Sequence, residues 1–167
     1  MTLSMYQASV PVFLRALTNL SHVLKKGEAH ASAKSITEDV ILQTRLIPDM
    51  LPLARQVQIA TDMAKGCVAR LAGVEVPSYA DTETTFEELK ARLQKTIDFI
   101  NSFKPEQIEG AESRTVTLKS GGQERQYTGA DYLLGYVLPH THFHATTTYA
   151  ILRHCGVEVG KKDYIGG

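Results

Sequence analysis

Apolar residues recur every three or four positions in four separate stretches of the chain, and this spacing predicts four long helices. The first stretch is expected to end at Gly27. Its start has two solutions, because Pro11 suits either a helix that begins near Ser9 or one that begins at Ser4 and is kinked at the proline. Four long helices in one chain favour an antiparallel bundle. We therefore expect an all-α four-helix bundle, in a single domain spanning residues 1–167.

A short helix is predicted between the first two long ones. Ser35 and Glu38 have the spacing of a capping box, which predicts a helix over residues 37–46 that ends before Pro48. Asp49 then has the residue type and position expected of an N-cap for the next long helix.

Capping and stop signals bound the second and third long helices. The second is predicted over residues 52–72, with Gly73 as its stop. The third opens with the capping box Thr85-x-x-Glu88 and ends before Pro105.

A small β-hairpin is predicted before the last helix. Short alternating runs between Arg114 and Tyr127 surround the turn pair Gly121-Gly122. Thr128 can cap the last long helix, which is expected to continue past Pro139 as far as Cys155. Because proline has no N–H to donate, a kink or a local widening is expected just before it.

Three of the six histidines lie within the five residues from His140 to His144. On a helix, His140 and His144 lie one turn apart on the face expected to point into the core, whereas His142 points roughly the opposite way. Two imidazoles with this spacing can share a divalent metal. They can equally be core histidines that hydrogen bonds satisfy without a metal.

A competing interpretation makes residues 138–149 a β-strand. All three histidines would then share one face and form a three-histidine cluster. No turn dipeptide punctuates the stretch from Tyr132 to His154, and this, together with the helical pattern of the neighbouring segments, favours the helix.

Charge and hydropathy exclude several classes of partner. The 18 basic and 18 acidic side chains cancel and form no basic block, which argues against nucleic-acid and anionic-membrane binders. No stretch approaches the roughly 20 apolar residues of a membrane span, and the N-terminus lacks a signal-peptide pattern. The two cysteines lack the Cys-x-x-Cys spacing of metal and redox motifs, and we expect them to be buried rather than bridged. We expect a cytoplasmic protein.

The segment from His140 to Gly156 resembles the last helix of the DinB/YfiT-like superfamily of proposed metalloenzymes. That helix carries His-x-x-x-His, Leu-Arg eight and nine residues further on, and then a glycine, and this chain has His140, His144, Leu152-Arg153 and Gly156. Nearly the whole chain is similar to a branch of the superfamily that is designated only as a domain of unknown function. The segments that carry this second resemblance are Ser4 to Pro11, Pro48 to Met50, Gln56 to Asp62 and Ala69 to Gly73.

The resemblance implies a DinB-like four-helix bundle with an up-down-down-up arrangement that forms a homodimer. It also implies a divalent metal such as zinc, nickel or iron and a small-molecule substrate, since characterised relatives include thiol-dependent transferases and a hydrolase. The superfamily's usual site has three histidines, the first of them on the second long helix. This chain has no histidine between Asp49 and Gly73.

A third ligand must therefore come from another residue type. Helical projection places Asp49 and Gln56 beside the apolar stripe of the second long helix, and Gln58 and Asp62 on its far side. A carboxylate oxygen suits zinc or iron better than an amide does, so the predicted metal ligands are His140, His144 and Asp49.

The sequence assigns no catalytic residue, although His142 or Tyr149 could assist a metal as an acid or base. Two functions without metal stay open. In the first the bundle binds a small molecule, and in the second it is a structural dimer whose ancestral metal site has been lost.

Overall fold

The computed structural model describes residues 4–120 and 122–166 of the chain. It is built from helices with one β-hairpin. The elements are α1 (Met5–Ala33), α2 (Glu38–Leu42), α3 (Leu53–Ala72), α4 (Phe86–Asn101), β1 (Thr115–Ser120), β2 (Gln123–Thr128), α5 (Gly129–Asp131), a π-helical segment (Tyr132–Val137), α6 (Leu138–His154) and α7 (Lys161–Ile165).

The long helices α1, α3, α4 and α6 form a four-helix bundle, which confirms the predicted fold class. Helix α1 packs against α4 and α6, and α3 packs against the same two helices. The apolar faces meet in one connected core that includes Phe13, Leu17, Val57, Phe86 and Ile151. Within the described part of the chain, no helix has the length and apolar character needed to cross a bilayer.

Helix α1 begins at the earlier of the two predicted starts and ends later than predicted. The Ser4 side chain caps it by accepting a hydrogen bond from the backbone N–H of Gln7 at 3.1 Å. Pro11 lies inside the helix, which also continues through Gly27 to Ala33. Gly27 is not a stop. It is buried where helices approach closely, since a Cβ there would lie 2.8 Å from a methyl carbon of Leu152.

Helix α2 is shorter than predicted, and its N-cap is Thr37. Ser35 lies outside the helix with a positive φ of 53°, so the predicted capping box is wrong. The Glu38 carboxylate instead accepts a hydrogen bond from the backbone N–H of Phe86, at 2.7 Å. It thus satisfies a free donor at the start of α4 and connects the two helices.

Helix α3 confirms the predicted range, but its N-terminal cap was predicted wrongly. The helix is capped at Pro52 rather than at Asp49, which lies in an exposed turn before it. Gly73 ends the helix in the left-handed conformation, with φ of 72°, as the sequence predicts.

Helix α4 carries the predicted capping box of Thr85 and Glu88. Its Arg92 side chain is 2% exposed and pairs with three carboxylates, those of Asp62, Asp81 and Glu83, at 2.8 to 3.0 Å. Two of these acids lie in the linker between α3 and α4. The ion cluster therefore fixes the linker against the outer side of the two helices.

The predicted hairpin is present, and it leads directly into the last helical segment. Strands β1 and β2 pair antiparallel with Thr115 opposite Thr128, and Gly122 of the turn has φ of 76°. Gly121 lies outside the described residues. Thr128 caps the segment as predicted by accepting a hydrogen bond from the N–H of Asp131 at 3.1 Å.

The last helical segment widens immediately before Pro139, as predicted. Tyr132–Val137 is π-helical, and ordinary α-helix resumes at Leu138. Because Pro139 donates no hydrogen bond to the preceding turn, the backbone can adopt the wider π spacing there at little further cost. The sequence did not predict α7.

Candidate functional site

The π-helical segment and α6 align four aromatic rings along one side of the bundle. Tyr132, Tyr136, His140 and His144 follow one another every four residues. The ring centroids of Tyr132 and Tyr136 are 6.1 Å apart, those of Tyr136 and His140 are 4.5 Å apart, and those of the two histidines are 6.1 Å apart. The imidazole planes differ by 15°. The predicted pair of histidines therefore shares one face.

A hydrogen bond from α3 fixes the tautomer of His144. The His144 ring is 8% exposed, and its Nδ1 lies 2.7 Å from Oε1 of Gln56. The Gln56 amide nitrogen donates to the carbonyl of Leu51 at 2.9 Å, which leaves Oε1 as the acceptor. His144 must then donate from Nδ1, and its Nε2 keeps a free lone pair.

His144 is held in its neutral form. Burial, and to a smaller extent charge repulsion from the neighbouring His140, lowers its pKa from 6.5 to about 4. A neutral imidazole with a free Nε2 can accept a hydrogen bond or bind a metal at neutral pH.

The ring nitrogens of His140 have fewer hydrogen-bond partners than those of His144. Nδ1 of His140 is shielded from solvent but makes no hydrogen bond with any described residue, and the same is true of the Thr141 hydroxyl. Tyr136 packs edge-on against the His140 ring, with the planes at 89°. A buried polar atom without a partner is uncommon in folded proteins, which distinguishes this turn of α6 from the rest of the described chain.

Both histidines line an open pocket of about 570 Å³ on the surface of the last helix. Phe143 forms part of its wall, with 54% of its surface exposed and its ring 5.2 Å from that of His144. Tyr136 and Pro139 line the other end. Gln56 is not part of the lining, so it supports His144 from behind.

The third predicted ligand, Asp49, does not join the pair. Among the residues that the structure describes, no three His, Cys, Asp or Glu side chains are grouped closely enough to hold a metal ion. Gln56 is the α3 side chain that meets His144, while Gln58 bonds to Glu83 and Asp62 to Arg92 on the far side of the helix, as predicted.

His142 lies on the opposite side of α6, as the helical interpretation predicts. Its Nδ1 is 3.3 Å from the hydroxyl of Tyr164 in α7. Tyr149 packs against the same tyrosine, with ring centroids 5.9 Å apart. The alternative of a β-strand with three histidines on one face is therefore wrong, and neither His142 nor Tyr149 lines the pocket of His140 and His144.

Comparison with known proteins agrees with this architecture. The model of a family described as "Domain of unknown function (DUF1993)" matches residues 5–165. The chain belongs to the DUF1993 family. A crystal structure at 1.83 Å resolution of a DinB family member from Shewanella denitrificans is 40% identical to it, with a TM-score of 0.88 over 97% of this chain and 92% of that one. A search of curated proteins found no match.

A DinB-like fold implies a divalent metal. The donor atoms at the site of this DUF1993 chain can therefore be compared with those that such an ion prefers. Neutral imidazoles suit zinc, nickel and iron, and His144 has the tautomer that a ligand needs. The imidazoles of His140 and His144 are donors of the type that such an ion prefers. They do not fit a site with three histidines, because the group facing them from α3 is the amide of Gln56.

Proposed function

We propose that this DinB-like protein binds a divalent transition metal through His140 and His144 and acts as a metal-dependent enzyme of the transferase or hydrolase type. The observation that carries the proposal is the hydrogen bond between Nδ1 of His144 and Oε1 of Gln56. Histidines that bind metals almost always donate their other N–H to an oxygen acceptor, which orients the ring and raises its basicity. Gln56 supplies such an acceptor.

Two imidazoles leave a metal with several open positions. Catalytic zinc sites usually have three protein ligands, so we expect weaker binding here than in a site with three histidines. A bound metal would lower the pKa of a water or thiol in an open position and polarise a substrate oxygen. The chain's own part is to keep His144 neutral, to orient it through Gln56, and to form an apolar wall with Phe143 and Tyr136.

A second candidate is a binding protein without metal. The absence of a third imidazole, carboxylate or thiolate near the pair, among the residues described, favours it. In that case Nε2 of His144 would accept a hydrogen bond from a neutral ligand in the pocket. The His140 ring, which also lines the pocket, would supply the second polar contact.

Metal titration separates the two candidates. Protein purified without an affinity tag, stripped with a chelator and titrated calorimetrically with zinc or nickel, is expected to bind about one ion per chain. Replacing both His140 and His144 by Ala should abolish the binding. The matched control is His142→Ala, which removes an imidazole two residues away on the other face and should leave binding unchanged.

Variants of Gln56 test the orienting hydrogen bond. Gln56→Leu should weaken metal binding about 10- to 100-fold, as the loss of a supporting acceptor does in other metal sites. Gln56→Glu offers a stronger acceptor to Nδ1 and should tighten binding. If the unmodified protein binds neither metal, the enzyme proposal is wrong and the candidate without metal replaces it.

A further inference from the structure

A second cavity, of about 320 Å³, lies on the other side of α6 from the histidine pair. Helices α1, α6 and α7 enclose it, and its walls are largely apolar. They include Val12 and Ala16 from α1, Ala145 from α6 and Ile165 from α7. Small-molecule sites are typically concave, mostly apolar and at least about 300 Å³ in volume. The cavity meets this description independently of any metal at His140 and His144.

Polar contacts fix the α7 wall of the cavity in place. The Asp163 carboxylate accepts a hydrogen bond from Lys26 at 3.0 Å, lies 2.9 Å from the His22 ring, and accepts another from the N–H of Gly160 at 2.7 Å. Asn19 donates to the carbonyl of Tyr164 at 3.1 Å. These contacts tie a five-residue helix to α1, so the cavity is formed in the absence of a ligand.

The Tyr164 side chain connects α7 to α6 as well. Its hydroxyl lies 3.0 Å from the Thr146 hydroxyl and 3.3 Å from Nδ1 of His142. Both Tyr164 and His142 line the cavity. The third histidine of the cluster thus helps to build this second site.

The charge at the cavity is positive and unbalanced. Arg15 lines it and forms no ion pair with any residue that the structure describes. No acidic side chain belongs to the lining. A guanidinium can bind a carboxylate through two parallel hydrogen bonds, which makes it a specific partner for that group.

We propose that this cavity binds a small monocarboxylic acid with an apolar tail. The carboxylate pairs with Arg15, and the tail lies against Val12, Ala16 and Ala145. A volume of 320 Å³ accommodates about ten non-hydrogen atoms, at about 30 Å³ for a group the size of a water molecule. An eight-carbon acid has that number of atoms.

Octanoate is therefore the probe for the test, in buffer that contains a chelator so that no metal at the other site can bind the carboxylate. For a ligand of this size we expect a Kd of about 1 mM or tighter by NMR titration. Side-chain methyl signals of Val12 and Ala145 should shift, while the ring signals of Phe143 and His144 should not.

Variants identify which group holds the carboxylate. Arg15→Gln should weaken octanoate binding about fivefold, the effect of an exposed ion pair worth about 1 kcal/mol, and should not change the binding of octanamide. Lys25→Gln removes the same charge from an exposed position of α1 outside the lining and serves as the matched control.

Ala16→Leu fills the cavity and should abolish binding of both ligands. Val12→Leu is the second filling variant if Ala16→Leu proves unstable. The proposal is overturned if octanoate does not bind at about ten times the expected Kd, or if it binds Arg15→Gln and the filling variants as tightly as the unmodified protein.

Discussion

The buried histidine of the pair makes the stability of the protein depend on pH in a calculable way. His144 has a pKa of about 4 in the folded protein, against an ordinary value of 6.5. Between these two values the unfolded chain binds a proton that the folded chain does not. The free energy of unfolding should therefore fall as the pH drops below 6.5, and the contribution of His144 to this fall should level off below about pH 4.

The size of the effect follows from the two pKa values. Between about pH 7.5 and about pH 5, protonation of His144 in the unfolded state should cost the folded protein about 2 kcal/mol. Urea unfolding at the two pH values, in the presence of a chelator, measures the total loss. The variant His144→Gln cannot titrate but can still donate a hydrogen bond to Gln56, so its loss should be smaller by that amount.

His142→Gln is the control, because it removes an exposed imidazole from the same helix. Between the two pH values, the free energy of unfolding of this variant should fall by as much as that of the unmodified protein. The reasoning is refuted if His144→Gln loses stability to the same extent as the unmodified protein, or if the His144 ring titrates near pH 6.5 in an NMR experiment.

Three further substitutions test the fold. Gly129→Ala should destabilise the protein by about 3 kcal/mol or more in urea unfolding, because the added Cβ would lie 1.9 Å from the backbone oxygen of Ala111; equal stability would contradict this packing. Arg92→Leu should cost about 2 kcal/mol, since it removes the hydrogen bonds that a buried guanidinium donates to partly exposed carboxylates, and a loss below about 1 kcal/mol would show that the ion cluster contributes little. Thr85→Ala should lower the free energy of unfolding by about 1 kcal/mol through loss of the α4 cap, and an unchanged midpoint would argue against that cap.

The sequence predicts the bundle well because the periodic apolar residues and the capping box of α4 act locally. The Thr85 side chain accepts a hydrogen bond from the backbone N–H of Glu88, and the Glu88 side chain accepts one from the backbone N–H of Thr85. Both bonds form within one turn and do not depend on the rest of the chain. The predicted helix end at Gly27 was wrong because the role of this glycine depends on a distant segment. A glycine inside a helix can make room for a neighbouring helix, and the Leu152 side chain occupies the space that a Cβ at Gly27 would need.

The same distinction explains the errors at the site. Helical projection correctly separated His142 from the pair and Asp62 from Gln56, because all of these residues lie inside helices. Asp49 lies before the first turn of α3, where the 100° rotation per residue no longer applies, so its projected angle had no meaning. The cavity of α1, α6 and α7 depends on contacts between distant segments, and no local pattern predicts it.

The π-helical turn has an evolutionary consequence. A single π turn holds one residue more than the α-helical turn that it replaces, so the rest of the helix can keep its packing around it. Tyr132–Val137 has this wider spacing between the hairpin and the histidines. Homologues that lack one residue here should have a regular helix instead, with their tyrosines rotated by about 100° away from the imidazole pair. A change of one residue in the length of this stretch would thus alter the aromatic surroundings of the two histidines without replacing either histidine.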